Sequence, residues 1–344
     1  MDTTQKELEQ KECADKWSST GMLEGISSED DRRAMAVLLD TQRKLNEIDV
    51  EGAVNDPQFR RCSIPLVRRI YATLVTSRIA SIQPMVLPTC SVFYEDKYGN
   101  VQRGELAAKG RKFDTQWEPL NSQQDGHGSF NNLDREAAVC AEKAEAIAHE
   151  IDRETFGDLC KVAKLKLDYI WNNKEHFSDW LRIAGTKIYR GANWVVVGPD
   201  IEQEIVELED FTPWDDDGYR TGIKRSGTLF GNWSVFVDKE FPEHTVLFGH
   251  RGERKYDVGY TYCPYMPFTL LPLQLEAEIF TPKYSIFTRY GKKLINSAYY
   301  GKITIEGHSI EVEGHSVEVK ENVEERRDDS SDETLFDVEG NNDE

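Results

Sequence analysis

The clearest pattern of apolar residues predicts a helix in the middle of the chain. Five apolar residues recur at intervals of 3, 4, 3 and 4, namely Ala137, Cys140, Ala144, Ile147 and Ile151. These intervals place the five side chains in one stripe along an α-helix. The helix is expected to extend to Phe156-Gly157.

Two further helices are predicted after this one. The first covers residues 159–171. The second begins with Ser178 as a candidate N-cap, and its apolar stripe consists of Leu181, Ala184 and Ile188. Gly191 stands where a C-cap glycine commonly ends a helix.

Residues 1–60 are predicted to form an arm of short helices. Ser28 is a candidate N-cap for a helix that runs through Met35 to Leu45. Acidic residues at the start of this helix and basic residues near its end suit the helix dipole. Asp56-Pro57 then marks a break.

Short apolar or alternating segments predict strands in the rest of the chain. Val92-Phe93-Tyr94 is typical of a strand that enters a turn over residues 95–100. Residues 233–238 alternate apolar and polar side chains, which predicts a strand with one covered face. Other strands are expected at 194–197, 245–248, 285–289 and 302–306, with strands broken by turns over 260–273.

The stretch 103–126 is polar and contains few large apolar residues, which are Leu106, Phe113, Trp117 and Leu120. Long loops of this kind inside a domain are usually functional or disordered. We expect it to pack little against its own subunit and to form an extended hairpin or loop.

The chain has 344 residues and a formal net charge of −20, and hydrophobic residues make up 39% of it. This apolar content is enough for a core and excludes global disorder. Residues 1–60 carry a charge of −6 and residues 320–344 a charge of −8, so the excess lies mainly at the two ends. An acidic chain is a poor candidate for reading nucleic-acid sequence. No apolar run is long enough for a membrane helix, and the six dispersed cysteines are expected to be reduced.

Motifs for catalysis are missing from the sequence. It contains no glycine-rich phosphate loop, no GxSxG elbow and no HExxH. His149, Glu150 and Asp152 share one helix, where paired carboxylates are expected to be ordinary solvent-exposed residues. The sequence therefore predicts that the protein is not an enzyme.

Candidate metal ligands are also weak. His244 and His250 flank a predicted hairpin and could in principle share a metal, but their spacing fits no ligand signature. His308 and His315 belong to a repeat in which residues 306–312 recur as 313–319, which favours a hairpin. Asp215-Asp216-Asp217 before Gly218 lacks the spacing of a calcium loop, so a solvated turn is expected. We predict no catalytic, cofactor-binding or metal-binding residue.

Two groups of residues resemble a known family. The first is Val67-Arg68-Arg69, Leu74, Ile79, Gln83-Pro84-Met85, Pro88-Thr89, Val92-Phe93 and Tyr98-Gly99. The second is Arg190-Gly191-Ala192-Asn193-Trp194, Lys255, Asp257, Gly259, Tyr262, Pro264-Tyr265, Thr288-Arg289-Tyr290-Gly291, Asn296 and Ala298-Tyr299-Tyr300. In this order they resemble the major capsid proteins of T-even-type tailed phages.

The resemblance implies an α+β protein with the Hong Kong 97 (HK97)-type capsid fold. That fold consists of an N-terminal arm, an extended loop, a peripheral domain with a long spine helix, and an axial domain. The implied boundaries are 1–60 for the arm, 61–90 for the start of the peripheral domain, 91–130 for the extended loop, 131–190 for the spine helix, 191–270 for the axial domain, 271–306 for return strands of the peripheral domain, and 307–344 for the hairpin repeat and a disordered acidic tail.

The function implied is that of a major capsid protein in the virion, assembled in the host cytoplasm. Copies would form hexamers and pentamers of an icosahedral shell around double-stranded DNA, without reading its sequence and without contact with a membrane. Portal, scaffold and decoration proteins are the other implied partners. In such a shell, Phe113 and Trp117 of the extended loop are expected to pack on a neighbouring subunit.

Two alternatives remain from the sequence. An encapsulin-like compartment uses the same fold to hold an enzyme, and a soluble metal-dependent hydrolase is the other class. The family also implies a protease cut after Glu47, in Leu45-Asn46-Glu47, and the acidic tail from Lys320 to Glu344 is expected to be dispensable for folding.

Overall fold

The protein is represented by a computed structural model, which describes residues 3–26, 28–48, 52–96, 98–118, 132–214, 223–252, 256–272 and 283–307. All of these belong to one of the two units into which the chain divides, Met1–His308; the other unit is Ser309–Glu344. The repeat at 306–319 therefore lies largely, and the acidic tail entirely, outside the described residues.

The described helices are α1 (Thr3–Ser18), α2 (Glu29–Glu47), α3 (Pro57–Thr73), α4 (Thr76–Ile79), α5 (Asn132–Val162), α6 (Lys174–Thr186) and α7 (Pro199–Val206), with a 3₁₀ turn at Ser297–Tyr299. The described strands are β1 (Ser81–Ile82), β2 (Thr89–Glu95), β3 (Val101–Ala107), β4 (Lys109–Trp117), β5 (Leu165–Ile170), β6 (Trp194–Val197), β7 (Phe211–Pro213), β8 (Ile223–Leu229), β9 (Trp233–Asp238), β10 (Thr245–Gly249), β11 (Tyr260–Pro272), β12 (Tyr284–Leu294) and β13 (Tyr300–Glu306).

Local capping explains where the N-terminal helices begin. The Ser28 hydroxyl accepts a hydrogen bond from the Asp31 amide at 3.4 Å and starts α2, as the sequence predicts. Asp56 Oδ1 accepts from the Phe59 amide at 2.7 Å and starts α3, with Pro57 in its first turn. Both caps satisfy amides that the first helical turn leaves without an intrahelical partner.

A small sheet with strand order β1-β11-β12-β4 packs against α2, α3 and α5. Leu39 from α2, Ile70 from α3, Ile147 from α5 and Phe268 from β11 meet in one buried core. The expectation of strands broken by turns over 260–273 is wrong, because β11 is one strand. Its pairing with β12 shifts register twice, between Pro264 and Met266 and between Met266 and Thr269, which accommodates the irregular sequence within one strand.

A large sheet has strand order β5-β13-β10-β6-β9-β8-β7 and is covered on both faces. One face of β6 places Val195 in a core with Phe177 of α6 and Ile201 of α7. The opposite face places Val196 in a core with Phe156 of α5. The expectation that 233–238 has one covered face is wrong, because Val235 of β9 lies in the core on one face of the sheet and Phe236 lies in the core on the other.

Two helix predictions after α5 are wrong in their limits. Residues 159–171 are not a helix, because α5 ends at Val162 and β5 pairs in parallel with β13. The alternating residues Leu165, Leu167 and Tyr169 pack on the core of α6. Asn173, and not Ser178, caps α6 and accepts a hydrogen bond from the His176 amide at 2.8 Å.

The region predicted as an extended loop divides into two parts. Strands β2 and β3 form a separate antiparallel hairpin, whose turn contains Gly99 at φ +81°. Glycine adopts that conformation without strain. In contrast, β4 pairs along β12 as part of the small sheet.

Candidate functional site

Polar residues of α5 contact several different parts of the fold. The expectation that His149, Glu150 and Asp152 form a solvated face is wrong. Asp152 is 2% exposed, and the His149 side chain is 13% exposed. Successive helical positions point in different directions, and here each direction leads to another element of the same chain.

Asp152 closes the break between α3 and α4. Its carboxylate accepts hydrogen bonds from the amides of Val75 (2.9 Å) and Thr76 (2.6 Å) and from the Thr76 hydroxyl (2.6 Å). Burial raises the pKa of Asp152 to about 6, and these hydrogen bonds oppose the rise. The carboxylate thus supplies acceptors for two amides at the start of a short helix.

His149 connects α5 to the end of β9. Its Nε2 lies 2.9 Å from Asp238 Oδ1. The hydrogen bond to Asp238 raises the pKa of His149, while burial acts in the opposite direction. This contact joins the helix that packs on the small sheet to a central strand of the large sheet.

Glu150 and Glu154 of α5 hold the small sheet. Glu150 accepts hydrogen bonds from the Asp114 and Thr115 amides of β4, both at 2.9 Å. Glu154 pairs with Arg111 and accepts from the Tyr290 hydroxyl at 2.6 Å. The carboxylates of Glu150, Asp152 and Glu154 all accept hydrogen bonds from donors of their own chain. These acidic residues of α5 therefore connect the helix to other helices and strands. Among the described residues, no group of three or more His, Cys, Asp or Glu is arranged to hold a metal ion.

The candidate metal ligands do not meet in the structure. His244 and His250 lie beyond opposite ends of β10. The His244 amide donates to Asp200 Oδ2 at 2.6 Å, and His250 Nδ1 lies 2.7 Å from the Gly191 carbonyl. Asp215 to Asp217, His308 and His315 lie outside the described residues. No described helix is both long and apolar enough to span a bilayer.

Several residues that carry the family resemblance connect separate segments of the chain. Asp257 accepts from the Tyr299 hydroxyl at 2.6 Å and pairs with Arg190 at 2.9 Å. Arg190 has φ +67°, a conformation that costs energy for a residue with a Cβ. A Cβ on Gly259 would lie 2.7 Å from the Tyr300 ring, so glycine is needed there.

The glutamine of Gln83-Pro84-Met85 anchors the middle of strand β2 in the β2–β3 hairpin. Its Nε2 donates to the Phe93 carbonyl at 2.8 Å, and its Oε1 accepts from the Phe93 amide at 3.1 Å. Beside it lies a cavity of about 540 Å³, lined by Met85, Cys90, Phe93 and Leu106 among others. Sequence reasoning found this motif only by resemblance, because nothing local indicates what a buried glutamine amide will contact.

The tip of the β2–β3 hairpin is exposed but ordered by its own hydrogen bonds. Asp96 Oδ1 accepts from the amides of Tyr98 (2.8 Å) and Asn100 (3.0 Å). Tyr98 is 75% exposed and Val101 is 54% exposed. Because these hydrogen bonds already order the backbone of the turn, a partner that covers its side chains has less backbone freedom to restrict.

Phe113 and Trp117 are not available to a neighbouring subunit, contrary to the expectation from the sequence. They are 4% and 2% exposed within their own chain. The Trp117 ring packs edge-on against Phe59 at 5.4 Å, and Phe113 lies 6.0 Å from Phe268. Pairing of β4 with β12 turns alternate side chains into the core, which sequence spacing alone did not show.

Comparison with known proteins gives one family and several similar structures. The sequence profile of the family described as "Major capsid protein Gp23" matches residues 99–324. No curated protein sequence matches the chain.

Among solved structures, a chain of Mycobacterium phage Adephagia is 10% identical, with a TM-score of 0.44, and the match covers 70% of this chain and 91% of that one. A chain of Microbacterium phage Oxtober96 is 12% identical, with a TM-score of 0.44 and coverage of 68% and 91%. The holo-SrpI encapsulin complex from Synechococcus elongatus is 11% identical, with a TM-score of 0.43 and coverage of 66% and 85%.

Proposed function

This chain belongs to the Major capsid protein Gp23 family, and from that premise we propose that it acts by assembly, as hexamers and pentamers of an icosahedral head shell around the double-stranded DNA of a tailed phage. It is a capsid shell subunit, a component of the virion with the HK97-type α+β fold predicted from its sequence. The T-even grouping, assembly in the host cytoplasm and the absence of catalysis are parts of the proposal.

The observation that carries the proposal is the family match over residues 99–324. It runs from the hairpin turn through the last described strand and includes the contacts made by Arg190, Asp257 and Tyr299. The domain boundaries predicted from the sequence remain a proposal as well. The β2–β3 hairpin is the part of the proposed extended loop that pairs outside the small sheet, and we assign its exposed tip to contacts between subunits.

The physical basis of assembly is the surface that one copy leaves exposed. The hairpin packs on its own subunit mainly through the middle of β2, where Val92 and Phe93 are buried, and the Glu95 amide donates to the Tyr256 carbonyl at 2.9 Å. Its tip presents Tyr98 on a turn that Asp96 already orders. Aromatic side chains on ordered turns make strong interface anchors, on the order of 2 kcal/mol or more each.

Negative-stain microscopy of the expressed protein tests the shell function directly. Closed angular particles are expected, and a chain that stays monomeric at high concentration contradicts the proposal. Particles from infected cells should contain double-stranded DNA. An enzyme cargo in place of DNA indicates the compartment alternative, and hydrolytic activity that depends on a metal indicates the enzyme alternative.

Substitution at the tip tests the role of the hairpin. Tyr98→Ser should leave the melting temperature of the isolated subunit unchanged and raise the concentration needed for assembly by about tenfold or more. Ile183→Ser is the matched control, because Ile183 is 54% exposed on α6 and not on the hairpin. Equal assembly of both variants contradicts a role for the tip.

Portal, scaffold and decoration proteins are proposed as further partners on the basis of the family alone. The cut after Glu47 is proposed on the same basis. N-terminal sequencing of subunits from infectious particles decides it, since Ile48 as first residue supports the cut and Met1 or Asp2 rejects it.

A further inference from the structure

The two outer strands of the large sheet carry opposite charge. In the order β5-β13-β10-β6-β9-β8-β7, strands β5 and β7 are separated by six strand spacings, roughly 29 Å. Among the described residues, no strand pairs with the outer side of either one. Both edges of the sheet are therefore available for lateral contacts.

The β5 edge is basic. Residues 159–167 contain three lysines and no acid, namely Lys161, Lys164 and Lys166, all of them exposed. Lys166 stands directly beside Lys302 in the parallel register of β5 and β13. No described acidic residue pairs with these four lysines, while Asp168 and Glu306 lie further along the two strands.

This arrangement is unfavourable in an isolated subunit. Like charges on neighbouring strands at one register position repel each other. Lysines on an edge strand also discourage unwanted strand pairing. Prevention of strand pairing needs only a charge, which can have either sign. Attraction to an acidic partner needs positive charge. Reversing the charge of these lysines therefore distinguishes the two roles.

The β7 edge is acidic. Residues 199–214, which comprise α7 and β7, contain six acids and no base. Lys224 is paired with Glu202 at 2.9 Å, and Lys174 is paired with Glu207. Glu209 and Asp210 are exposed directly before β7 and have no ion pair among the described residues.

Apolar side chains accompany the charges on both edges. Ile170 at the end of β5 is 76% exposed. Val206 at the end of α7 and Trp214 after β7 are 45% and 37% exposed. An interface with an apolar centre and complementary charges around it has the usual composition of a specific protein contact.

We propose that the basic β5 edge of one copy docks against the acidic β7 edge of a second copy of this chain. The two edges are different surfaces, so the contact is head-to-tail, and repetition of such a contact closes into a ring when its rotation permits. The inference rests on the proposed shell function, for which it supplies a lateral contact within a ring of subunits.

A pair of charge-reversed variants tests the proposal. The lysine variant carries Lys164→Glu and Lys166→Glu, so that acids stand at two exposed positions of its β5 edge and cancel the charge of Lys161 and Lys302. The acid variant carries Glu209→Lys and Asp210→Lys, so that lysines stand at the two exposed positions before β7. Each variant alone should need at least about tenfold more protein to associate in sedimentation velocity, because like charges then face each other at these positions.

Mixing the two variants gives the decisive result. In an equimolar mixture, the substituted edge of one variant meets the substituted edge of the other with opposite charges at these positions, and the two unsubstituted edges meet as in wild type. Association should therefore return to within about twofold of wild type. A mixture that associates no better than its components overturns the proposal. Variants that each associate like wild type also overturn it, while the shell function then stands.

Controls separate docking from folding and from overall charge. Lys187→Glu and Glu243→Lys reverse exposed residues outside the two outer strands and should leave association unchanged. The lysine variant should melt no lower than wild type, because Lys166→Glu places an acid beside Lys302. Wild type that stays monomeric contradicts the shell function, and the mixture still decides whether the two edges attract.

Discussion

Gln42 and Gln83 are both buried and make the same kind of contact. Gln42 lies on α2, which packs into the core, whereas Gln83 contacts the β2–β3 hairpin, whose tip is exposed. Gln42 of α2 donates to the Phe268 carbonyl and accepts from the Phe268 amide, both at 3.0 Å. Gln83 holds Phe93 in the same two-way manner. Gln42 joins residues 226 positions apart, whereas Gln83 joins residues 10 positions apart.

The surroundings of the two contacts explain the difference. Helix α2 brings Met35, Leu38 and Leu39 into the core of the small sheet. The β2–β3 hairpin buries Val92 and Phe93 in the middle of β2 and exposes its tip. The resemblance assigned α2 to an N-terminal arm and the hairpin to an extended loop. The two differ because α2 has an apolar stripe to bury and the hairpin does not. An arm with such a stripe becomes part of its own subunit.

The largest expected effect comes from the core of α2. Leu39 is fully buried, so Leu39→Ala should lower the free energy of unfolding by about 2–5 kcal/mol. Denaturant unfolding of the isolated subunit measures it. A loss below about 1 kcal/mol would mean that α2 is not an integral part of this core, and the comparison with the hairpin would fail.

Replacing the two glutamines compares the regions directly. Gln42→Leu leaves two buried backbone groups of Phe268 without partners and should cost about 2–4 kcal/mol of global stability. Gln83→Leu should cost about 1 kcal/mol, because the hairpin can move and let water reach Phe93. Native-state hydrogen exchange should show the second effect confined to 89–107; global acceleration would contradict local anchoring.

The contact between His149 and Asp238 predicts a pH dependence. Its hydrogen bond raises the pKa of His149 above the usual 6.5, so the stabilisation is fully present below about pH 6.5 and is lost as pH rises through the folded-state pKa. His149→Gln should therefore cost about 1–2 kcal/mol near pH 6 and less near pH 9. Denaturant unfolding at both pH values measures this difference.

Arg153→Gln is the matched control for that pH dependence. Arg153 lies on the same helix and pairs with Glu240 on the exposed surface at 2.5 Å. Arginine stays charged across this range, so its cost should be small and equal at the two pH values. If the loss of unfolding free energy caused by His149→Gln is also equal at the two pH values, the proposed titration of His149 is rejected.

The smallest effect on folding is expected at the hairpin tip. Tyr98→Ala should change the stability of the isolated subunit by less than about 0.5 kcal/mol, since its side chain is mostly in water. Thermal unfolding of the monomer measures this. A loss comparable to that of Leu39→Ala would show that the tip packs on its own subunit, and the contrast with α2 would disappear.

Local patterns in the sequence predicted much of this fold. Ser28 marked the start of α2, the stripe from Ala137 to Ile151 lies on α5, and 194–197 and 302–306 lie in strands. The resemblance led to the family, which the profile match confirms. These predictions succeeded because capping, helical periodicity and short motifs depend on neighbours within a few positions.

The tertiary structure decided what each segment packs against. Strand pairing with β12 turned Phe113 and Trp117 inward, and the two cores that pack on opposite faces of the large sheet covered both faces of β9. The polar residues of α5 read as a solvated face, yet Asp152 and His149 meet partners 76 and 89 positions away. The sequence by itself determined where elements with a strong local pattern form, such as α2, α5 and β6, because capping and periodicity depend on local chemistry. Strands β4 and β5 were missed, because they form by pairing with the distant strands β12 and β13. Which faces remain exposed depended on contacts distant in the chain, and these arise only once the sheets and helices pack together.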